Sequence, residues 1–191
     1  MTSNILQSLF QNNFDQKIAA LFLTIRSGFG IKIFSVISFF GNWLFLVPLM
    51  LLIIIILYLK NKKEFIIQFL LTVLSAEAVT FFSKILFHRG RPLLAVFHET
   101  DFSFPSGHAT IAAAFYGYLA YIIIKSVKAR YKRLIIISAV LIIGLIGFSR
   151  LYLGVHYLSD VLAGYLVGLT ALIIGINSGQ EVEKELKKSL S

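Results

Sequence analysis

The run LLIIIILYL, residues 51–59, limits most severely what this chain can become. It is the densest part of an apolar segment from Phe34 to Leu59. Crossing the hydrocarbon core of a bilayer as a helix takes roughly 20 apolar residues. No water is available there, so the backbone must satisfy its own polar groups, and helices do this within one segment. Further apolar runs cover Phe65–Ser83, Ala109–Ile124, Leu134–Phe148 and Tyr157–Ile176, the last three near the short end for a span. Hydrophobic residues make up 58% of the chain and charged residues 14%. Soluble domains average about 45–50% apolar, so the chain falls outside that class. The expected fold is all-α: a polytopic membrane bundle of five to six transmembrane helices in a single domain, residues 1–191.

The count turns on the N-terminus. Ile5, Leu6, Leu9, Phe10, Phe14, Ile18, Leu21, Phe22 and Ile25 recur at helical spacing, while Gln7, Gln11, Asn12, Asp15 and Gln16 fill the other face. Arg26 and Lys32 interrupt the apolar run. An amphipathic interfacial helix within residues 1–30 fits this pattern better than a sixth span. The polar start has no signal-peptide pattern, and no cleavage is expected.

Charge sets the orientation. Lys60, Lys62 and Lys63 follow the first run, and Lys125, Lys128, Arg130, Lys132 and Arg133 follow the third. Both segments are expected on the cytoplasmic side, with the tail 178–191. The net charge of +9 is accounted for in this way, and no nucleic-acid partner is expected. There is no cysteine, so disulfides and a thiol nucleophile are excluded. The segments Lys84–Gly107 and Arg150–His156 then face outward. The first carries Lys84, Arg89 and Arg91 against the charge pattern, which marks it as a place to look for function.

All four histidines, His88, His98, His108 and His156, lie in or beside these two outward segments. Three stretches carry the chemistry: KILFHRGRP (84–92), PSGH (105–108) and SRLYLGVHYLSD (149–160). Lys84, Arg91 and Arg150 would repel one another near a bilayer unless an anion lay between them. A phosphate fits, gripped by guanidinium forks and a lysine point charge. Ser106 and Gly107 precede a helical run whose first N–H groups form an anion site, and Pro105 keeps the approach non-helical. His156 and Asp160 are four residues apart, which on a helix puts them on one face. The carboxylate then fixes the imidazole tautomer and leaves the other nitrogen as nucleophile. His108 remains as general acid. Arg89 reads as an exposed or headgroup-facing cation, His88 and His98 as loop residues, and Ser149 as a residue that bonds back to its helix or steadies Arg150. Glu77, inside the second span, reads either as a bundle residue or as a functional carboxylate. Gly164 and Gly168, spaced GYLVG, make a small-residue face for close helix packing or a homodimer.

These stretches together resemble the type-2 phosphatidic acid phosphatase superfamily, membrane lipid phosphate phosphatases related to vanadium haloperoxidases. The resemblance rests on Lys84, Arg91 and Pro92, then Pro105 to His108, then Ser149, Arg150, His156 and Asp160, and spans roughly residues 84–164. It implies a phosphohistidine formed on His156, oriented by Asp160, with His108 protonating the leaving oxygen. Lys84, Arg91, Ser106, Gly107 and Arg150 would hold the phosphoryl oxygens. It implies no cofactor and no metal, in keeping with the few outward carboxylates, Glu99, Asp101 and Asp160. The expected partners are a lipid phosphate monoester or prenyl diphosphate and the surrounding membrane lipids. The small size and brief loops resemble bacterial members, which implies a cytoplasmic membrane with the site facing outward. The alternatives are a phosphoryl or head-group transferase using the same site, and a non-catalytic phospholipid-binding membrane protein.

Overall fold

Short polar residues decide where the N-terminal helices begin and end. The computed structural model describes the backbone of residues 13–189 and the side chains of residues 14–181. Among these the order is α1 Asn13–Ile25, α2 Gly28–Phe39, α3 Trp43–Leu59, α4 Lys63–Phe87, α5 Gly107–Ser126, α6 Ala129–Tyr152 and α7 Leu158–Ser189. Ser27 caps α2, its Oγ accepting from the Gly30 N–H at 3.1 Å. Asn42 caps α3, its Oδ1 accepting from the Leu44 N–H at 2.9 Å. Such side chains satisfy donors that a helix start leaves free.

Among the described residues five stretches are long and apolar enough to cross a membrane: Gly28–Leu59, Lys63–Phe87, Gly107–Ser126, Ala129–Tyr152 and Leu158–Glu181. The five-span reading holds. The first span begins at Gly28, ahead of Phe34, and is not continuous, because the Asn42 cap breaks it after Phe39. The surface helix ends at Ile25, and its expected first part, residues 1–12, lies outside the described residues. Lys132 and Arg133 belong to the first turns of α6 rather than to a loop. The tail expected from residue 178 continues α7 as far as Ser189.

Successive spans reverse direction, so residues 60–62 and 127–128 lie at one end of the bundle. Residues 88–106 and 153–157, with the start of α2, lie at the other. At the hub is α5, where Ala109, Ala112, Ala113, Ala114 and Phe115 are completely buried. Its alanines let α7 come close. A Cβ on Gly164 would fall 2.7 Å from the Ser106 carbonyl oxygen, and one on Gly168 would meet that of Thr110. The GYLVG face is therefore covered by α5 of the same chain and is not a free dimer surface. Further along α7, Gly175 packs against Thr72 of α4 in the same manner. Leu51, Leu52 and Ile55 of α3 and Phe81, Phe82 and Leu86 of α4 point outward. Lipid tails are as apolar as these side chains, so their exposure carries no penalty in a bilayer.

Candidate active site

The end of the bundle formed by residues 88–106 and 153–157 collects the residues singled out above. Lys84 lies in the last turn of α4, which stops where His88 turns left-handed at φ 46°. The chain then enters a loop pinned from within: the Ser103 N–H donates to Arg89 O at 2.9 Å, and Ser103 Oγ donates to Gly90 O at 3.0 Å. The loop is also tied to the second segment, the Val96 N–H donating to Leu153 O at 3.0 Å. Ser106 stands at the cap of α5 without a side-chain cap bond, and its Oγ is buried with no partner. Its N–H donates to Asp160 O at 3.0 Å, which holds the start of α5 against the start of α7. Gly41, in the break of the first span, leaves room for His108; a Cβ there would lie 3.3 Å from His108 Cδ2.

His156 and Asp160 do not share a helix face, contrary to the expectation from their spacing. His156 precedes α7, in a turn that Gly154 makes at φ 67°, and Asp160 sits in the first turn of the helix. The turn still brings them together, with His156 Nδ1 3.5 Å from Asp160 Oδ2. Nε2 faces the other way and lies 3.1 Å from Arg91 Nη1. Burial above all, and then the positive charges of Arg150 and Arg91, hold the His156 imidazole well below its ordinary pKa of 6.5. The ring is neutral at neutral pH.

The three expected cations converge on two carboxylates. Lys84 Nζ donates to the Asp101 carboxylate and to Phe102 O at 2.9 Å. Arg91 donates through Nη2 to Asp101 and lies 2.7 Å from Glu99, while its Nη1 donates to Val155 O at 2.8 Å. Arg150 donates through Nη1 to Ser38 Oγ at 2.6 Å and through Nη2 to Glu99. Burial alone would raise the Asp101 pKa, but the hydrogen bond and charge of Lys84, helped by Arg91, hold it below the ordinary 3.8. The mutual repulsion read from the sequence is thus relieved by Glu99 and Asp101, two of the few outward carboxylates. Among the described residues no three His, Asp or Glu side chains group as metal ligands would.

Arg89 corrects the sequence reading. It is buried, not exposed. Its Nη1 donates to Asp160 and to Ser159 Oγ at 2.6 Å, its Nη2 donates to Asp15 Oδ2 at 2.7 Å, and its guanidinium lies over the Tyr157 ring at 4.3 Å. Asp15, placed on the polar face of the surface helix, is buried as well. The sequence did hold a signal for Arg89, since it shares KILFHRGRP with two expected phosphate ligands. For Asp15 there was none, because its partners lie 74 and 144 residues away. His88 packs against the Phe102 ring at 4.5 Å, and neither it nor the exposed His98 joins the cluster. Ser149 bonds back to Ile146 O at 2.6 Å. Glu77 lines a groove of about 320 Å³ together with Gly107, His108 and Trp43.

A buried neutral imidazole has one nitrogen toward a carboxylate and the other toward a ring of cations. Such a pair of faces suits attack on an anionic phosphoryl group. Comparisons with known proteins point the same way. Residues 65–183 match the PAP2 superfamily model and so contain every residue of the three sequence motifs. Over 177 residues the chain is 30% identical to phosphatidylglycerophosphatase B of Bacillus subtilis (strain 168), covering 91% of this chain and 87% of that protein. It is 39% identical over 87 residues to an undecaprenyl-diphosphatase of Sulfolobus acidocaldarius, covering 44% of this chain and 38% of the other. The crystal structure of a transmembrane PAP2-type phosphatidylglycerolphosphate phosphatase from Bacillus subtilis superposes with a TM-score of 0.84 at 30% identity, over 95% of this chain and 94% of that one. With five apolar spans, the three motifs and this match, the chain is an integral membrane protein that belongs to the PAP2 superfamily of lipid phosphatases.

Proposed function

We propose that the chain hydrolyses a lipid phosphate monoester or prenyl diphosphate at the outer face of a bacterial cytoplasmic membrane, without a metal ion. One observation carries this reading: His156 Nε2 lies 3.1 Å from Arg91 at the edge of a cation cluster completed by Lys84 and Arg150. The substrate phosphate takes over the cations that Glu99 and Asp101 hold, with Ser106 Oγ and the N–H groups that open α5 as further donors. His156 Nε2 attacks phosphorus, and the bond from phosphorus to the leaving oxygen breaks. His108 gives that oxygen its proton. A water then attacks the phosphohistidine, His108 takes a proton from it, and inorganic phosphate leaves. Asp160 faces Nδ1 throughout and stabilises the positive ring. The lysine-rich far end supports an outward-facing site, since by the positive-inside rule such a cationic end stays in the cytoplasm.

Phosphatidylglycerophosphate is the first substrate to offer, because the relative named for it matches across most of the chain. Undecaprenyl diphosphate is the second. Purified protein in detergent should release phosphate from at least one of them at an undiminished rate in excess chelator. A rate abolished by chelator and restored by a divalent cation would overturn the metal-free mechanism. A pH profile tests the nucleophile separately. The acid limb of kcat/KM reports groups of the free protein. Since burial and the neighbouring arginines depress His156, that limb should lie below pH 6.5. A limb centred at 6.5 or above would contradict attack by a buried, neutral His156.

A further inference from the structure

Asp160 is completely buried, and its two oxygens serve different groups. Oδ2 accepts the Tyr157 N–H at 2.8 Å and faces His156 Nδ1 at 3.5 Å. Oδ1 accepts from Arg89. The chain of contacts continues beyond Arg89, because Nη2 of the same guanidinium donates to Asp15 Oδ2 at 2.7 Å. Asp15 Oδ1 accepts the Ser159 N–H at 3.0 Å, and Asp15 Oδ2 accepts the Ser159 hydroxyl. Burial would raise the Asp15 pKa, but the hydrogen bonds from Arg89 and Ser159 hold it below 3.8, so Asp15 is ionised. This carboxylate comes from α1, outside the five spans and outside the segment matched by the family model.

Two buried carboxylates thus share one buried guanidinium. Facing Asp160 alone, Arg89 would neutralise it and weaken the field it exerts on His156. Asp15 takes part of that positive charge, so Asp160 keeps a net negative pull on the Nδ1 side of the ring. Asp15 also fixes the plane of the guanidinium, and with it the direction in which Asp160 Oδ2 points. Where one fork holds two carboxylates in this way, charge and orientation are set together.

We propose that Asp15 and Arg89 are positioning residues for His156, acting through Asp160, so that α1 contributes the Asp15 side chain to the site. The proposal rests on the reading of His156 as nucleophile. The decisive variant is Asp15→Asn, which removes the charge and keeps the shape. It should lower kcat about 10- to 100-fold, the range seen when outer partners of a metal-bound histidine are removed. KM should stay within about twofold, since no substrate contact is lost. Arg89→Lys, whose single ammonium cannot bridge both carboxylates, should act alike, and the double variant should be little worse than either single one. Phe22→Leu is the control for mere docking. Phe22 anchors α1 against Phe148 at 5.3 Å between ring centroids, so this variant should lower Tm and leave kcat unchanged.

A second measurement does not depend on turnover. The ring 15N resonances of His156, assigned by their loss in His156→Gln, should move in Asp15→Asn and stay in place in Phe22→Leu. Unchanged kcat with unmoved resonances in Asp15→Asn overturns the proposal, as does a kcat loss that Phe22→Leu reproduces. If Asp15→Asn does not fold, Arg89→Lys carries the same two readouts. Should the unmodified protein release no phosphate, the nucleophile reading falls, and the resonances alone decide whether Asp15 acts on His156.

Discussion

Phosphate release by the His156→Gln protein should fall by about 100,000-fold or more, the scale of losing a nucleophile whose partners act as a unit with it. Glutamine is chosen for what it preserves. Its amide oxygen can accept from Arg91 as Nε2 does, at 3.1 Å in the native ring, so the cation cluster keeps its shape. Removing the ring altogether would leave a cavity beside Asp160 and confuse chemistry with packing. Affinity for inorganic phosphate, measured by displacement of labelled phosphate, should therefore change by no more than several-fold. An acid-labile phosphoenzyme, trapped from labelled substrate in the native protein, should be absent from the variant. Retention of more than about a thousandth of the native rate by pure variant would show that water attacks phosphorus directly. His156 would then orient that water, and the phosphohistidine would have to be abandoned.

How far the site could be read without coordinates depended on whether its signals were local. Lys84, Arg91, Ser106, Gly107, His108, Arg150, His156 and Asp160 came from three short stretches whose order and spacing carry the information, and the bundle brings those stretches to one end. The five spans were legible because a bilayer demands long apolar runs, which leave a strong trace in sequence. The break after Phe39 was less visible, since a single Asn42 cap outweighs the hydropathy on either side of it. His156 was misplaced onto a helix because four-residue spacing suggests one, whereas Gly154 and the late start of α7 make a turn instead. Asp15 and Arg89 could not be paired, because charge on an amphipathic helix normally marks the wet face and only the folded chain shows this carboxylate turned inward. Glu99 and Asp101 were hidden for a related reason. In sequence they are ordinary loop acids, and their meaning comes from three cations delivered by three different elements.

Arg150 should prove the most demanding of those cations. Replacing it with alanine should lower kcat/KM about 1,000- to 100,000-fold, the range spanned by arginines that stabilise phosphoryl-transfer transition states. Arg150→Lys should recover only a small part of the loss. The guanidinium is 3% exposed and spends two nitrogens in different directions, one on Ser38 of α2 and one on Glu99 of the loop. An ammonium is a single, strongly hydrated point charge and cannot make that fork in a dry site. The fold should survive either change. Glu99 keeps its ion pair with Arg91 at 2.7 Å, so no buried carboxylate is left without a cation, the circumstance that makes loss of a buried partner costly. A melting temperature within a few degrees of the native one, together with the rate loss, assigns Arg150 to the phosphoryl group. Added guanidinium, well below denaturing concentrations, should restore part of the Arg150→Ala rate by entering the space vacated beside Ser38 and Glu99. If the lysine variant is nearly as active as the native protein, a bare positive charge suffices at this position. The site would then hold phosphate by charge density alone, and the shared fork between Ser38 and Glu99 would serve only to join α2 to the loop.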